Sequence, residues 1–327
     1  MKLHENKKLF TQAVRFTAQE MDIRDVYIEK DYWITYALYT IFTHEIGKEA
    51  VFKGGTALSK CFGLIDRFSE DIDLVVLRNE GDSGNKLTNK IKKISKVVSS
   101  VLNEVELENV TQKMGMNRKT AHSYNKEFKG DYGQVRDVII VEATWLGYFE
   151  PYTEKMVNSY VYDMMKNTGQ LQMISEYGLE PFEVKVLDPK RTLCEKIMSL
   201  VRFSYEENAI EDLKKKIRHT YDLCLMLQNE GLSKFFYSRA FESMLLKVAN
   251  DDVESFKNNN AWLVYHPNEA LIFSNLKNVW SQLKNIYSGN FRKLVYTNGR
   301  FPNESEVEEA LMKIKERLSS IPWDIKI

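Results

Sequence analysis

Apolar residues recur along the chain at two spacings, helical and alternating, and the elements follow from where one gives way to the other. Residues 8–19 place Leu9, Ala13 and Phe16 on one face, which predicts a first helix. The run from Asp25 to Phe42 repeats Ile34, Leu38, Ile41 and Phe42 at helical intervals and predicts a core helix. Its early residues Glu29-Lys30-Asp31 read as a solvated helix start. Residues 51–53 form a short strand entering Gly54-Gly55, and Thr56 opens a short helix to Phe62. Asp71-Ile72-Asp73-Leu74-Val75-Val76 has the character of a strand. After a turn at Asn79–Gly84, a stripe of Leu87, Ile91, Ile94, Val98 and Val101 predicts a helix. From Val135 the alternation returns, with Val138, Ile140 and Glu142 on one face and Asp137, Ile139 and Val141 on the other.

Residues 104–133 carry no clear period, and Met114–Lys119 reads as a hairpin or loop. Residues 151–182 are mixed, with Tyr152, Tyr160 and Tyr162 among polar neighbours. Val184 and Val186 suggest a short edge strand. Pro189 stands at the start of a helix whose buried face is Leu193, Ile197 and Leu200. Phe235, Phe236, Phe241 and Leu245 continue in helical register. Trp262, Tyr265 and Trp280 are assigned to the core or to an interdomain surface. A final helix is marked by Ser305 and Glu308 as a capping box, by Val307, Leu311, Ile314 and Leu318, and by Pro322 beyond it.

Composition narrows the class. The 327 residues are 43% hydrophobic and 28% charged, a globular rather than a disordered balance. The length fits one large or two ordinary domains. Forty-six basic residues balance forty-six acidic ones, so binding to nucleic acid would need a local basic groove. Cys61, Cys194 and Cys224 are too scattered for a zinc or disulfide framework. The polar N-terminus and short apolar runs give no signal peptide or membrane span, and a cytoplasmic protein is expected.

The candidate chemistry lies between residues 53 and 74. Asp71 and Asp73 are two apart on a strand, so both carboxylates face one way while Ile72 and Leu74 face the other. Paired carboxylates repel unless a cation sits between them, and oxygen donors at that spacing suit Mg²⁺ or Mn²⁺. Gly54-Gly55 permits a tight turn or a close backbone approach. Thr56 begins a helix whose first amides are suited to a phosphate, and its hydroxyl is a candidate cap or phosphate contact. Lys60 and Arg67 are candidates to neutralise a triphosphate, with Ser69 as a phosphate contact or turn cap. Neither the P-loop nor the dinucleotide fingerprint is present.

Lys53-Gly54-Gly55-Thr56-Ala57-Leu58-Ser59-Lys60, followed by Arg67-Phe68-Ser69-Glu70-Asp71-Ile72-Asp73-Leu74, resembles the AbiEii/AbiGii toxin family of nucleotidyltransferases. That family lies within the polymerase-beta-like superfamily. Glu29-Lys30-Asp31 and Thr192-Leu193-Cys194-Glu195-Lys196 are similar to further elements of the family. Tyr221-Asp222-Leu223 matches too, although Arg218-His219 stands where the family carries Arg-Asp or a similar pair. The motifs run through most of residues 20–230.

The resemblance implies an α/β (α+β) fold. A nucleotidyltransferase core with a mixed sheet would span residues 1–185, and a mostly helical part, 186–327, would add substrate-binding residues. It implies transfer of NMP from an NTP to an acceptor, with tRNA as the first acceptor and a cognate antitoxin as partner. It selects Glu142 as the third acid beside Asp71 and Asp73, for metal binding or proton removal, with Asp137 as rival. It makes Lys196 a catalytic and phosphate-binding residue and Asp222 its orienting partner. His219, Lys185 and Arg191 are weaker nucleotide candidates. Lys86, Lys90, Lys92, Lys93 and Lys96 form either an RNA landing face or a solvated helix face. Arg118, Lys119 and His122 are candidates near substrate. The rival readings are a nucleotidyltransferase acting on a small molecule or protein, and a non-catalytic nucleotide-binding protein.

Overall fold

The computed structural model describes residues 1–113, 115–130 and 135–327. Met114, and the 131–133 end of the irregular stretch expected at 104–133, lie outside the described residues. In chain order the elements begin with α1 (Lys7–Met21), α2 (Asp25–Thr43), β1 (Ala50–Lys53), α3 (Gly54–Lys60) and β2 (Asp71–Val76). Next come α4 (Gly84–Ser99), β3 (Asn103–Val105), β4 (Asn117–Ser123), β5 (Ile139–Thr144) and β6 (Tyr152–Val157). Then follow α5 (Tyr160–Asn167), α6 (Leu171–Glu176), β7 (Phe182–Leu187), α7 (Pro189–Phe203), α8 (Ala209–Lys215) and α9 (Ile217–Gln228). The chain ends with α10 (Glu230–Phe236), α11 (Arg239–Ser255), α12 (Leu271–Ser274), α13 (Leu276–Ser288) and α14 (Glu304–Ser319).

The strands form one mixed sheet in the order β3-β4-β5-β2-β1-β7-β6. β1 and β2 are antiparallel, β2 and β5 parallel, and β1 and β7 parallel. Alternation gives the sheet two unlike faces. One face, with Phe52, Ile72, Leu74, Val76, Val141 and Val186, joins the main core with α2 and α4. The other carries only small apolar groups, Val51-Val75-Leu187 and Ala121-Val138-Ile140. Between those patches lie the charged residues of β1, β2, β4 and β5. The main core runs without a break into the helices after β7, and the expected boundary at 185 falls inside β7 itself.

Several expectations need correction. Glu29, Lys30 and Asp31 are buried, not solvated. Lys30 Nζ meets Glu70 Oε2 at 2.6 Å, and Glu29 accepts the amides of Glu127 and Phe128. Asp31 pairs with Lys60 at 2.5 Å and accepts the Tyr160 amide. The helical period did not register that α2 is enclosed all round. The buried side of α1 is Phe10, Ala13, Val14 and Thr17, and Phe16 is exposed. Val101 lies past the end of α4 and is exposed.

Of the hairpin or loop expected at Met114–Lys119, the described residues show the hairpin: Gln112 and Lys119 exchange backbone hydrogen bonds, and Asn117–Lys119 opens β4. β7 is internal, and β6, which carries no apolar alternation, forms the edge. The cap of α14 is Asn303 with Glu306, two residues earlier than expected. Trp262 and Trp280 are buried, whereas Tyr265 is half exposed and stacked on Tyr205.

Candidate active site

Strand register assembles the site. β1 pairs Lys53 with Asp73, β2 pairs Asp73 with Glu142, and β4 pairs Lys119 with Glu142. A row Lys53–Asp73–Glu142–Lys119 therefore crosses four strands on the less apolar face, with Asp71 one pleat away from Asp73 on the same side. Glu142 accepts from Lys119 Nζ and from Asn117 Nδ2, each at 2.9 Å. Burial works against its charge, but Lys119 and Asn117 outweigh it and hold the carboxyl below its ordinary range. Asp73 is pushed the other way, to about 7, by burial first and then by the charges of Asp71 and Glu142.

The glycine pair connects this row to a second cluster. Gly54 has φ +79°, and a Cβ there would lie 2.1 Å from Asp73 Oδ2. A Cβ on Gly55 would lie 2.8 Å from an Arg67 guanidinium nitrogen and 2.9 Å from Ser69 Oγ. The bare backbone is thus wedged between the Asp73 carboxylate and Arg67. Arg67 donates twice to Asp222, at 2.7 and 2.8 Å, and Lys196 donates to the same carboxylate at 2.7 Å. All three side chains are buried. Burial alone would raise the Asp222 carboxyl, but Arg67 and Lys196 hold it well below the usual carboxylate range.

His219 Nδ1 lies 3.3 Å from Lys196 Nζ. Burial and then the charge of Lys196 lower the imidazole's affinity for a proton, so it is neutral and accepts from the ammonium.

Other candidates stand apart from a free phosphate seat. α3 begins at Gly54 without a side-chain cap, two residues before Thr56. Thr56 Oγ1 donates instead to the Asp71 carbonyl at 2.6 Å and sits 3.0 Å from Ser69 Oγ, fixing the start of β2. Lys60 is held by Asp31 and the Asn158 carbonyl, with Tyr160 beneath it. Asp137 precedes β5, is exposed and pairs with Lys126. His122 is buried against Thr120 and pushed down to about 4 by burial. Arg118 turns to Ser95, and Lys185 to the Lys48 carbonyl. Lys86 and Lys90 pair with Asp82, Lys90 also with Glu49, and Lys93 with Glu45. That leaves Lys92 and Lys96 as the exposed remainder of the lysine face of α4.

Asp71 Oδ1 is buried without a hydrogen-bond partner, beside a crowded Asp73. Hard oxygen donors of this kind fit Mg²⁺ or Mn²⁺. Among the described residues no group of three or more His, Cys, Asp or Glu is arranged to hold a metal. Glu142, engaged by Lys119 and Asn117, does not complete a cage. Asp71 and Asp73 are thus two candidate oxygen donors for such a cation, not a complete set.

A cavity of about 370 Å³ opens beside Asp73 and Glu142, between the sheet and helices α7 and α11. Its far wall holds Arg191, bonded to Glu195 at 3.0 Å and to Asp251 at 2.6 Å, and also Arg202 and Asp252. Lys53, Asn117, Glu195, Arg202 and Asp252 escaped sequence reasoning as site residues. For Lys53 and Asn117 a signal existed in strand alternation once the register is known. Glu195 stands inside the Thr192–Lys196 element, which marked it without giving it a role; Arg202 and Asp252 had no signal, because no motif marks them.

Among the described residues no helix is long and apolar enough to cross a membrane. No curated protein matches the chain. The sequence model of the family described as "Nucleotidyl transferase AbiEii toxin, Type IV TA system" matches residues 36–282, a span that includes the glycine pair, all three acids, Lys196 and Asp222. The chain belongs to the AbiEii family of nucleotidyl transferase toxins.

Proposed function

We propose that the protein transfers NMP from an NTP to a hydroxyl of tRNA, and that a divalent cation is required. The observation that carries this reading is the glycine pair. It brings bare backbone between the Asp71–Asp73 carboxylates and the Arg67–Asp222–Lys196 cluster, where a triphosphate has charge to meet on both sides.

Asp71 and Asp73 would hold Mg²⁺ or Mn²⁺, which when bound neutralises the α-phosphate and the leaving oxygen. Gly54 and Gly55 let phosphate oxygens approach the backbone. Lys196, positioned by Asp222, meets the β- and γ-phosphates, and Arg67 and Ser69 buttress the turn. The acceptor oxygen forms the new bond to the α-phosphorus. The bond from that phosphorus to the bridging oxygen breaks, and pyrophosphate departs with the electron pair. The hydroxyl proton passes to a carboxylate of the row or to water. Lys119 and Asn117 stabilise the Glu142 anion and weaken it as a base.

Transfer from each α-³²P-labelled NTP, in Mg²⁺, to total tRNA and to total protein tests the reading, with Asp71→Ala alongside. Label on tRNA that vanishes in the variant is the expected result. Label on protein alone moves the acceptor and keeps the chemistry. No label from folded protein that still binds NTP overturns the tRNA assignment and favours a small-molecule acceptor or a non-catalytic role.

A further inference from the structure

The cavity beside Asp73 and Glu142 does not include the glycine pair, Ser69, Lys196 or Asp222. It meets the carboxylate row at Lys53, Asp73 and Glu142. An NTP is a linear molecule, and its β- and γ-phosphates are assigned above to the glycine and Lys196 side. With the α-phosphate at Asp71 and Asp73, the ribose and base continue past Asp73 towards this cavity.

The lining suits a neutral group and not a further phosphate. Five carboxylates (Asp73, Glu142, Glu195, Asp251 and Asp252) face three cations (Lys53, Arg191 and Arg202). Lys53 and Arg191 are already committed to Glu195 and Asp251. Arg202 is not. Its guanidinium lies over the Phe256 ring at 4.1 Å and the Phe203 ring at 4.7 Å. No carboxylate among the described residues comes within ion-pair distance of it.

Asp252 is likewise without a hydrogen-bond donor among the described residues. Both side chains are half-buried on the cavity wall and feel each other's charge, and neither is tied up in an ion pair or side-chain hydrogen bond among the described residues, so both are open to a ligand there. Together they offer donors and an acceptor to one flat edge, which is what a nucleobase presents. Met198, Val248 and Phe256 supply the apolar surface of the same cavity, and 370 Å³ lies within the range of about 300–1,000 Å³ usual for small-ligand sites.

We propose that this cavity seats the base of the NTP, and that Arg202 on α7 and Asp252 on α11 read its hydrogen-bonding edge and set nucleotide preference. The proposal rests on the phosphate placement above. Burial, and then the charge of Glu195, push the Asp252 carboxyl up to about 7.

The test is calorimetric titration of the full chain with non-hydrolysable α,β-imido analogues of ATP, GTP, CTP and UTP, and with inorganic tripolyphosphate, all in Mg²⁺. Wild type is compared with Arg202→Met and Asp252→Asn. The expected result is a preference for one nucleotide in wild type that shrinks or changes rank by about tenfold in each variant, while tripolyphosphate affinity stays within about twofold. The variants sit on different helices, so either one that keeps the wild-type circular dichroism decides the matter.

An unchanged preference in a folded variant overturns the proposal. So does equal wild-type affinity for all four analogues, or a parallel loss of tripolyphosphate binding. Variants that slow transfer to the acceptor without altering preference would make this the acceptor's pocket instead, and also overturn it. Wild type that binds neither analogue nor tripolyphosphate sinks the proposed function itself, a result separable from all of these.

Discussion

Lys196 and Asp222 meet at 2.7 Å, both buried, and Arg67 holds the other edge of the same carboxylate. One anion thus balances two buried cations, and the consequences of removing each partner differ. Asp222→Ala leaves Arg67 and Lys196 uncompensated and is expected to cost about 3–5 kcal/mol of stability. Lys196→Met leaves the two-bonded Arg67–Asp222 pair intact, and its stability should stay within about 2 kcal/mol of wild type. Both variants should lose transfer.

The Asp222 carboxyl is depressed in the folded state, so its contribution is present above the unfolded value near 4 and fades as pH falls below it. Urea titrations at pH 7 and at pH 3 should show the gap between wild type and Asp222→Ala narrowing at the lower pH.

Gly54 and Gly63 both have positive φ, but only Gly54 is crowded. A methyl at Gly63 meets nothing within 4 Å, whereas one at Gly54 would overlap Asp73 Oδ2. Gly63→Ala should therefore cost only the backbone term of about 1–2 kcal/mol and retain transfer. Gly54→Ala should cost as much or more and abolish transfer by displacing Asp73. Equal activities of the two variants in the labelling assay would remove Gly54 from the site.

Glu29 offers a pH prediction away from the carboxylate pair. Burial raises its carboxyl from 4.5 to about 7, although the Glu127 and Phe128 amides pull it down. The folded state therefore holds this proton more tightly than the unfolded chain. Stability from this group falls as pH rises from about 4.5 through 7, by about 3 kcal/mol in all. Glu29→Gln has no such dependence. Relative to it, wild type should weaken between pH 4.5 and pH 8 in denaturant melts, and parallel profiles would contradict the assignment.

The parts of the molecule legible in the sequence were those set by local period and by short motifs. Asp71 and Asp73 share a face because strand side chains alternate, and α7 buries Leu193, Ile197 and Leu200 because helical side chains recur. Register was not legible, and register is what sets Lys53 and Glu142 on either side of Asp73. Burial of charge was not legible either. Glu29-Lys30-Asp31 look like solvent residues until Glu70, Lys60 and the Glu127 amide arrive from 40, 29 and 98 positions away. Lys60 shows the same limit, since a lysine after a glycine turn suggests phosphate, and only the tertiary structure supplies Asp31 as its partner.

Asp71 Oδ1 is a buried acceptor without a hydrogen-bond partner among the described residues, and its use predicts how metal and nucleotide depend on each other. Two carboxylates make an incomplete shell for Mg²⁺ or Mn²⁺, and phosphate oxygens would complete it. The cation should therefore bind weakly to the protein alone and more tightly with an α,β-imido NTP analogue, and by linkage the analogue should bind more tightly with the cation. At a concentration about 100 times the dissociation constant, such a ligand raises stability by about 2.7 kcal/mol. Thermal melts with cation, with analogue and with both should show a combined shift larger than the sum of the separate ones. In Asp71→Ala the excess should vanish while tripolyphosphate still binds at the glycine and Lys196 side. A wild-type melt indifferent to Mg²⁺ and Mn²⁺ in the presence of the analogue would remove the cation from the site and leave Asp71 as a strained, unpaired acceptor.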